Sequence, residues 1–392
     1  MKKLITTTNS LKGFCKLAVK SAYVTIDTEF LRDRTYFPKL CLIQMAFPGE
    51  GNENAALIDA QSTDLDLTPL YEIFESESII KVFHAARQDL EIFFLATQKF
   101  PKPFFDTQIA AMVCGFGEQV GYETLVRRLT SKSIDKSSRF SDWSKRPLSE
   151  DQINYALGDV THLRDVYEKL IENLNKLGRS EWFRDELQDL LKPENYFVDP
   201  EDAWKRIKIK SNNQKFLSAV KFLAFFREEQ AKCRNIPRNR ILKDEMILEL
   251  ASIKPKSLLD LGKSRLLNKD ARRGWIAEGI IGAFKKANES SPTELPPVFE
   301  QTISRKLVSE SLLDLLKVLL KAKSEETGVA ARLVATNQDL ELLVTQDSPD
   351  IPALHGWRKT IFGNDAIRLK NGEIALSAKG SGIEIIPLKK SN

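Results

Sequence analysis

Two acidic residues, Asp27 and Glu29, stand two positions apart in the segment TIDTEF, after an apolar run. Alternate residues of a β-strand point to the same face, so the two carboxylates are expected side by side at the end of a strand. Neighbouring carboxylates repel each other, and burying them is costly unless a cation neutralises them. The pair therefore suggests a cation site, although a D-x-E pair alone is more often a solvated strand end.

Two further acidic segments follow along the chain. Asp89 lies near the start of a predicted helix in VFHAARQDL, and Tyr155 and Asp159 lie one helical turn apart in YALGD. Each has an ordinary structural explanation, such as an acid favoured by a helix dipole or a surface acid below a packed tyrosine. Four carboxylates in this order nevertheless indicate a site for two divalent cations. Their hard oxygens suit Mg²⁺ or Mn²⁺ better than zinc.

The scaffold of these residues is predicted from apolar patterns in the first 190 residues or so. The predicted strands are 23–26, 40–47, 55–58 and 79–83. The predicted helices are 89–98, 122–129 and 149–177, and Ser149 with Gln152 predicts a capping box at the start of the last one. Strands followed by helices predict an α/β domain whose mixed sheet is flanked by helices.

Strand patterns disappear after about residue 205, and apolar residues at helical spacing begin at 216–227. The segment SSPTELPPV, residues 290–298, contains three prolines and predicts an extended connector. A second helical module is predicted from 299 to 376. The sequence thus predicts three domains, an α/β domain at 1–200 and two small all-α domains at 201–292 and 293–392.

The acidic segments and their flanks carry a family resemblance. The three motifs of the DEDDy exonucleases, in the ribonuclease H-like superfamily, are similar to TIDTEF, HAARQD and YALGD. Ribonuclease D in particular resembles this chain in FSDWSKRPLSEDQINYALGDV, FFDTQIAAMVCG and GYETLVRRL. The linker and first HRDC domain of that family resemble EDAWKRIK and REEQAKCRNIPRNRILKDEMI, and a second, divergent HRDC-like domain is consistent with GWRKTIFGNDAIRL.

The resemblance implies a 3′→5′ exoribonuclease that removes nucleoside 5′-monophosphates one at a time, with the 3′ ends of tRNA precursors as the expected substrate. It implies two divalent cations, Mg²⁺ or Mn²⁺, as cofactors, with water as the nucleophile. The implied metal ligands are Asp27, Glu29, Asp89 and Asp159. Tyr155 is implied as the group that orients the attacking water.

Candidate RNA contacts lie in both parts of the chain. Phe30 and Tyr122 are candidates to stack on terminal bases, although an ordinary place in the core suits both equally well. His84 is a secondary site residue and not a ligand. Many superfamily members have asparagine directly after that histidine, where this chain has Ala85, so no role follows for that side chain. The basic candidates for phosphate binding are Lys205, Arg206, Arg234 and Arg238.

Composition narrows the classes of protein that the chain can represent. Hydrophobic residues make up 42% and charged residues 29%, typical of a globular protein, and the net charge of +5 allows a nucleic-acid partner without requiring one. No run approaches the ~20 apolar residues that cross a bilayer. Four scattered cysteines favour reduced, buried thiols in a cytoplasmic protein. No phosphate-binding G-x-x-x-x-G-K loop is present, so no organic cofactor is expected.

Two alternatives stay open at this point. A 3′→5′ DNA exonuclease would use the same carboxylates, because the choice of sugar depends on a contact to the 2′-hydroxyl that the sequence does not reveal. A non-catalytic RNA-binding module with a degenerate site is the other alternative. The presence of all four carboxylates and Tyr155 argues against it.

Overall fold

The computed structural model describes residues 4–135, 137–211, 213–290 and 309–388. They form two compact units that do not follow the order of the sequence. The first, here called the nuclease unit, comprises the described residues within Met1–Glu29, Cys41–Leu191 and Ile303–Asn392. The second, the helical unit, comprises those within Phe30–Leu40 and Lys192–Thr302. The connector predicted at 290–298 lies, apart from Ser290, outside the described residues.

A six-stranded sheet carries the acidic segments. Its strands are β1 (Leu4–Ile5), β2 (Tyr23–Leu31), β3 (Lys39–Ala46), β4 (Ala55–Ile58), β5 (Ile80–Phe83) and β6 (Phe104–Asp106). Their order is β1-β4-β3-β2-β5-β6, with β4 antiparallel to β3, while β1 and β4, β2 and β5, and β5 and β6 run parallel. The predicted mixed sheet is confirmed. Because β2 and β5 run parallel, the segments after them reach the same edge of the sheet.

Seven α-helices lie among the described residues of this part of the chain. They are α1 (Thr8–Ala18), α2 (Thr68–Glu75), α3 (Arg87–Thr97), α4 (Thr107–Cys114), α5 (Tyr122–Thr130), α6 (Glu150–Leu177) and α7 (Ser180–Leu190). The capping box that opens α6 is confirmed, with reciprocal hydrogen bonds between Ser149 and Gln152. The helix ends at Gly178, whose φ of 65° is a backbone conformation that glycine adopts without steric cost.

The helical unit contains α8 (Gln214–Arg234), α9 (Arg238–Ile241), α10 (Asp244–Ile253) and α11 (Gly274–Glu289). Short 3₁₀ helices are Pro193–Asn195, Pro200–Arg206, Leu259–Lys263 and Asp270–Arg272. Tyr36, from the connection between β2 and β3, packs against the core of this unit, and its hydroxyl donates a hydrogen bond to the buried Glu228. The neighbouring amide of Phe37 donates to Oδ1 of Asn235 at 3.0 Å. The segment 30–40 therefore belongs to the helical unit by its packing.

The remaining helices lie in the C-terminal part of the nuclease unit. They are α12 (Glu310–Thr327), α13 (Ala331–Val334), α14 (Asn337–Thr345), α15 (Gly356–Arg358) and α16 (Asn364–Lys370), with a 3₁₀ helix at Pro352–Leu354 and a π-helical turn at Lys359–Gly363. An antiparallel pair, β7 (Ile374–Lys379) and β8 (Gly382–Pro387), follows. The pair corrects the prediction of an all-α final domain. IALSAK and GIEIIP carry β-branched residues around a glycine-containing turn, a hairpin pattern that the helical interpretation overlooked.

The C-terminal helices pack directly on α7. The rings of Trp182 and Trp357 stack with centroids 4.9 Å apart, and Arg358 donates a hydrogen bond to the buried Glu186. The guanidinium of Arg179 donates to one backbone carbonyl of α4 and one of α12, at 2.8 and 2.6 Å. These contacts hold the C-terminal helices against α4 and α7 of the nuclease unit.

Two further expectations concern membrane-spanning helices and the state of the cysteines. Within the described ranges, no helix has the length and apolar character needed to cross a membrane. All four cysteines are free thiols, and Cys15 and Cys41 are buried as predicted. Cys114 is only partly buried and Cys233 is exposed, which corrects the expectation that every thiol is buried.

Candidate active site

Three of the predicted carboxylates come together where β2 faces α6. One oxygen from each of Asp27, Glu29 and Asp159 lies within 4.8 Å of the other two. Asp27 and Glu29 are alternate residues of β2, so they share one face of the strand, and Asp159 lies in the third turn of α6. Asp159 is buried and the two strand residues are half-buried. The side-by-side geometry expected from the D-x-E spacing is thus present.

The fourth carboxylate joins the site through a threonine. Asp89, in the first turn of α3, is buried, and its Oδ1 accepts a hydrogen bond from the hydroxyl of Thr28, which lies between the two strand carboxylates. The turn before α3 is held by the buried Asp106, whose carboxylate accepts from the amides of Ala85 and Ala86 at 3.2 and 2.8 Å. A link from β2 to α3 therefore fixes the side chain of Asp89.

Ala85 occupies an unusual backbone conformation beside this site. Its φ of 57° lies in the left-handed region, where residues other than glycine are uncommon and asparagine is enriched. This conformation gives a physical reason for the asparagine that many superfamily members have at the corresponding place. In this chain the alanine adopts it while its amide is held by Asp106.

The electrostatics of the cluster favour the binding of cations. Burial, followed by the charges of Asp27 and its neighbours, raises the pKa of Glu29 to about 9, and burial raises the pKa of Asp159 to about 8. Burial and the neighbouring carboxylates also raise the pKa values of Asp27 and Asp89 well above the usual range. Oδ2 of Asp159 is buried and has no hydrogen-bond partner among the described residues. Divalent cations would remove the repulsion and supply that partner, so the oxygen ligands fit them.

Tyr155 lies one turn before Asp159 on the same face of α6. Its ring is half-buried and packs near the indole of Trp143, with centroids 6.0 Å apart. Burial and the nearby carboxylates raise the pKa of its hydroxyl, so the phenol stays protonated at neutral pH. A neutral hydroxyl beside carboxylates can hydrogen-bond a water molecule and fix its orientation.

A cavity of about 360 Å³ opens onto this cluster. Asp27, Tyr155 and Asp159 line it together with His84 and Tyr122. Its size lies within the range of sites that enclose a small organic ligand. A carboxylate cluster at the end of such a cavity is suited to metal-assisted hydrolysis of a bond held inside it.

Comparison of the chain with known proteins assigns it to a family. Residues 3–175 match the family model of a 3′-5′ exonuclease, and residues 217–274 match that of the HRDC domain. Ribonuclease D from Jannaschia sp. (strain CCS1) is 52% identical over 98% of this chain and 100% of its own length. Ribonuclease D from Granulibacter bethesdensis is 45% identical over 98% of this chain and 96% of its own. The chain belongs to the ribonuclease D family.

A solved structure agrees with this membership. The crystal structure of Escherichia coli RNase D, described as an exoribonuclease involved in structured RNA processing, matches with a TM-score of 0.82 and 27% identity. The match covers 95% of this chain and 99% of that one. As a member of the ribonuclease D family, the chain is a metal-dependent 3′–5′ exoribonuclease, and its substrate is RNA.

The structure also locates the candidate RNA contacts of the nuclease unit. His84 lines the cavity, its Nδ1 lies 2.9 Å from the hydroxyl of Thr107, and burial lowers its pKa to about 4, so the ring is neutral at pH 7. Tyr122 also lines the cavity, and its hydroxyl donates to the backbone carbonyl of Asp159 at 2.7 Å. Tyr122 thereby holds the backbone of the ligand-bearing turn. Whether either ring contacts RNA stays a prediction.

The other candidate contacts lie in the helical unit, among them Phe30, which is half-buried. Lys205 forms an ion pair with Asp202 at 2.7 Å, and Arg206 is exposed. The guanidinium of Arg234 lies 3.9 Å from the centroid of Trp275, and Arg238 lies 3.8 Å from the buried carboxylate of Glu228. Internal partners thus occupy three of the four basic side chains, and their contacts with RNA stay predictions.

The sequence analysis missed three residues of the site. Thr28 and Asp106 position other site residues and are described above. Arg139 lines the cavity, and its charge acts to lower the pKa values of Glu29 and Tyr155. The sequence did offer a signal for Arg139. A basic and an aromatic residue, Arg139 and Phe140, directly precede the SDW segment in the loop between two predicted helices.

Proposed function

We propose that the chain hydrolyses the terminal phosphodiester of RNA with two divalent cations, Mg²⁺ or Mn²⁺, held by Asp27, Glu29, Asp89 and Asp159. The observation that carries the proposal is the approach of three carboxylate oxygens to within 4.8 Å of one another, in a place where burial raises their pKa values. The protein supplies no cation close enough to pair with them within the described chain. Oδ2 of Asp159 has no hydrogen-bond partner among the described residues, which supports direct coordination of a cation by that oxygen.

The residues around the cluster would position the reaction. Bound divalent cations would supply a water of lowered pKa and stabilise the departing 3′ oxygen. Tyr155 would orient the attacking water through its protonated hydroxyl, held in place by packing near Trp143. Tyr122 would fix Asp159 through its backbone, and Thr28 would fix Asp89.

The products would be nucleoside 5′-monophosphates, released one at a time from the 3′ end. The water oxygen forms a bond to phosphorus, while the bond between phosphorus and the 3′ oxygen of the preceding nucleotide breaks. The phosphate therefore leaves with the terminal nucleoside, and the preceding nucleotide regains a 3′ hydroxyl by taking a proton. The cavity of about 360 Å³ beside the carboxylates offers space for the terminal nucleotide.

We propose tRNA precursors as the natural substrate class. Support comes from the Escherichia coli relative, which is described as acting in structured RNA processing. Exposed basic side chains of the helical unit, such as Arg206, would bind phosphates of the folded part of the RNA. The nuclease unit would then act on the single-stranded 3′ end.

The deciding experiment compares matched RNA and DNA oligonucleotides, labelled at the 5′ end, with Mg²⁺ or Mn²⁺ and with a chelator. The proposal expects a ladder that shortens from the 3′ end, release of 5′-monophosphates, faster cleavage of RNA than of DNA, and no cleavage without metal. Asp27→Asn is the matched control for a contaminating nuclease. Equal or faster cleavage of DNA would favour the DNA exonuclease, and products with a 3′ phosphate would refute the proposed chemistry.

We also propose that the sequence divides near 200 and 292 into one exonuclease and two HRDC-like domains. Two separate apolar cores support this division, one built from residues 203–284 and the other from residues 316–374. The free thiols of the chain support a cytoplasmic location, because disulfides are rare in reducing compartments. Fractionation of cells that express the tagged protein would test the location.

A further inference from the structure

The loop between α5 and α6 is fixed on the side that leads into α6. The indole of Trp143 is buried, and Arg146 donates to both carboxylate oxygens of Asp59, at 2.6 and 2.7 Å. Arg146 also donates to the backbone carbonyl of Cys41 at 2.9 Å. Ser138 is buried earlier in the loop, and its carbonyl accepts from a backbone amide three residues on. The two residues after Ser138 are therefore presented on a supported turn.

The first of these two residues is Arg139, which lines the cavity. His84 is neutral at pH 7, so Arg139 is the one side chain with a fixed positive charge among the described residues that line the cavity. Its guanidinium makes no hydrogen bond or ion pair within the described parts of the chain. A guanidinium presents donors in a planar fork that matches the oxygens of a phosphate.

The charge balance of the site also leaves Arg139 available. Four carboxylates carry four negative charges, which two divalent cations would balance. Arg139 then supplies a positive charge of the protein's own to an incoming phosphate, in a cavity that Glu123 also lines. Its place beside Glu29 and Tyr155 puts this charge next to the residues that would hold metal and water.

The second residue, Phe140, is 91% exposed. Its ring centroid lies 5.3 Å from Cζ of Arg139, so the ring stands beside the cavity that Arg139 lines. Exposure of a large apolar ring to water is unfavourable, so covering the ring of Phe140 with a partner would lower the free energy. Nucleic-acid bases stack on aromatic rings in proteins that bind single strands, with little preference among the bases.

We propose that Arg139 and Phe140 form a clamp for the unpaired 3′ end of RNA. Arg139 binds a phosphate of the terminal dinucleotide, and Phe140 stacks on a base outside the cavity. The clamp selects single strands, because a base in a duplex has no free face for the ring. This inference rests on the proposed function and adds two RNA-binding residues to the same site.

The test of Phe140 is a double-mutant cycle between protein and RNA. Single-turnover rates and half-saturation concentrations are measured for heptaadenylate and for the same strand with one base removed, at the second, third or fourth nucleotide from the 3′ end. Phe140→Ala should raise half-saturation roughly tenfold on the intact strand. It should have little further effect on the strand that lacks the stacked base. Phe140→Tyr should behave as wild type, and Leu17→Ala, at an exposed leucine of α1, controls for lost apolar surface.

The test of Arg139 is the salt dependence of half-saturation. Arg139→Gln should reduce the slope of log K against log salt by about 0.7, the value for one lost phosphate contact on a single strand. Arg139→Lys should restore most of the slope. Lys145→Gln removes the same charge from an exposed residue of the same loop, with a side chain 79% exposed, and should leave the slope unchanged.

The outcomes separate this inference from the proposed function. Wild-type protein that does not shorten RNA from its 3′ end would refute the proposed function. Cleavage by wild type with unchanged half-saturation in Phe140→Ala would overturn the stacking role. Equal slopes for Arg139→Gln and Lys145→Gln would overturn the phosphate contact, as would a Phe140→Ala effect that persists on every strand lacking one base.

Discussion

Two acidic sites of the nuclease unit, one at Asp59 and one at the carboxylate cluster, differ in how their charge is balanced. At the first, Asp59 is buried and accepts two hydrogen bonds from Arg146. Burial would raise the pKa of Asp59, but the hydrogen bonds from Arg146 and the amide of Gln61 outweigh it and lower the pKa. At the second, the carboxylates of Asp27 and Asp159 face each other without a basic partner, and their pKa values are raised.

The difference in pKa distinguishes an acid with a structural role from acids that can bind a ligand. An acid paired inside the protein adds to folding stability and has no capacity left for an ion. An acidic cluster without a partner costs stability, and proteins retain such groups where function requires them. Four substitutions or changes of condition test this comparison.

Asp27→Asn should have the largest effect, a loss of cleavage by at least ~10³-fold, because a lost metal ligand removes several kcal/mol of transition-state stabilisation. Folding should be retained or improved, since one repelling charge is gone. Single-turnover cleavage and thermal unfolding are measured on the same preparation. Mg²⁺ should raise the Tm of wild type and leave that of the variant almost unchanged. Activity within about tenfold of wild type would contradict the metal role.

Tyr155→Phe should lower the cleavage rate by roughly 10²-fold, since the hydroxyl that orients water is removed while the ring remains. The contact of the ring with Trp143 should be preserved, so Tm and its rise with Mg²⁺ should match wild type. The readout is the maximal single-turnover rate, compared with half-saturation. A wild-type rate would make Tyr155 a packing residue only.

Asp59→Asn should have the opposite effect to Asp27→Asn, because it should lower stability and leave the metal site intact. Loss of the carboxylate leaves Arg146 without its charged partner, and breaking a buried ion pair costs on the order of 3 kcal/mol of unfolding free energy. The loss is measured by urea unfolding, with Mg²⁺ absent and present. Stability equal to wild type would show that the pair is not structural. The response of Tm to Mg²⁺ should persist, because the metal ligands are untouched.

The smallest effect concerns pH in the metal-free protein. Folding raises the pKa of Glu29 from 4.5 to about 9 and that of Asp159 from 3.8 to about 8, so the folded protein holds protons that the unfolded chain releases. Stability should therefore be greatest below the unfolded values and fall as pH rises towards the folded ones.

Urea unfolding at pH 6.5 and pH 7.0 in a chelator checks this direction. A decrease on the order of 1–2 kcal/mol is expected, because Glu29 and Asp159 each contribute about 0.7 kcal/mol over half a pH unit. The decrease should be smaller in Asp27→Asn and should vanish with Mg²⁺. Asp59 acts in the opposite sense, since its lowered pKa contributes stability that is lost only as pH falls below its unfolded value of 3.8. A metal-free protein that becomes more stable between the two pH values would contradict the comparison.

The sequence predicted the two halves of the cluster because local geometry dictates each of them. Alternation along β2 places Asp27 and Glu29 on one face, and a helical turn places Tyr155 beside Asp159. These spacings survive in any tertiary structure that keeps the strand and the helix. The same reasoning predicted the mixed sheet and the capping box of α6.

Other features depend on contacts between distant segments. The hydrogen bond from Thr28 to Asp89 joins residues 61 positions apart, and no local pattern encodes it. Arg139 lies in a loop whose course is fixed by Trp143 and Arg146 and has no periodicity to interpret. β1 and β6 contain two and three residues, too few for an alternating pattern to stand out.

Within the described ranges, the chain passes between its two units at residues 29–30, 40–41 and 191–192. One proteolytic cut after residue 191 would not free the helical unit, since residues 30–40 belong to that unit and are joined to the nuclease unit at both ends. An exchange of the helical unit between relatives must therefore transfer both pieces together, or Tyr36 would meet a foreign core without its Glu228. A single crossover near residue 200 would therefore separate the two pieces of one packed core.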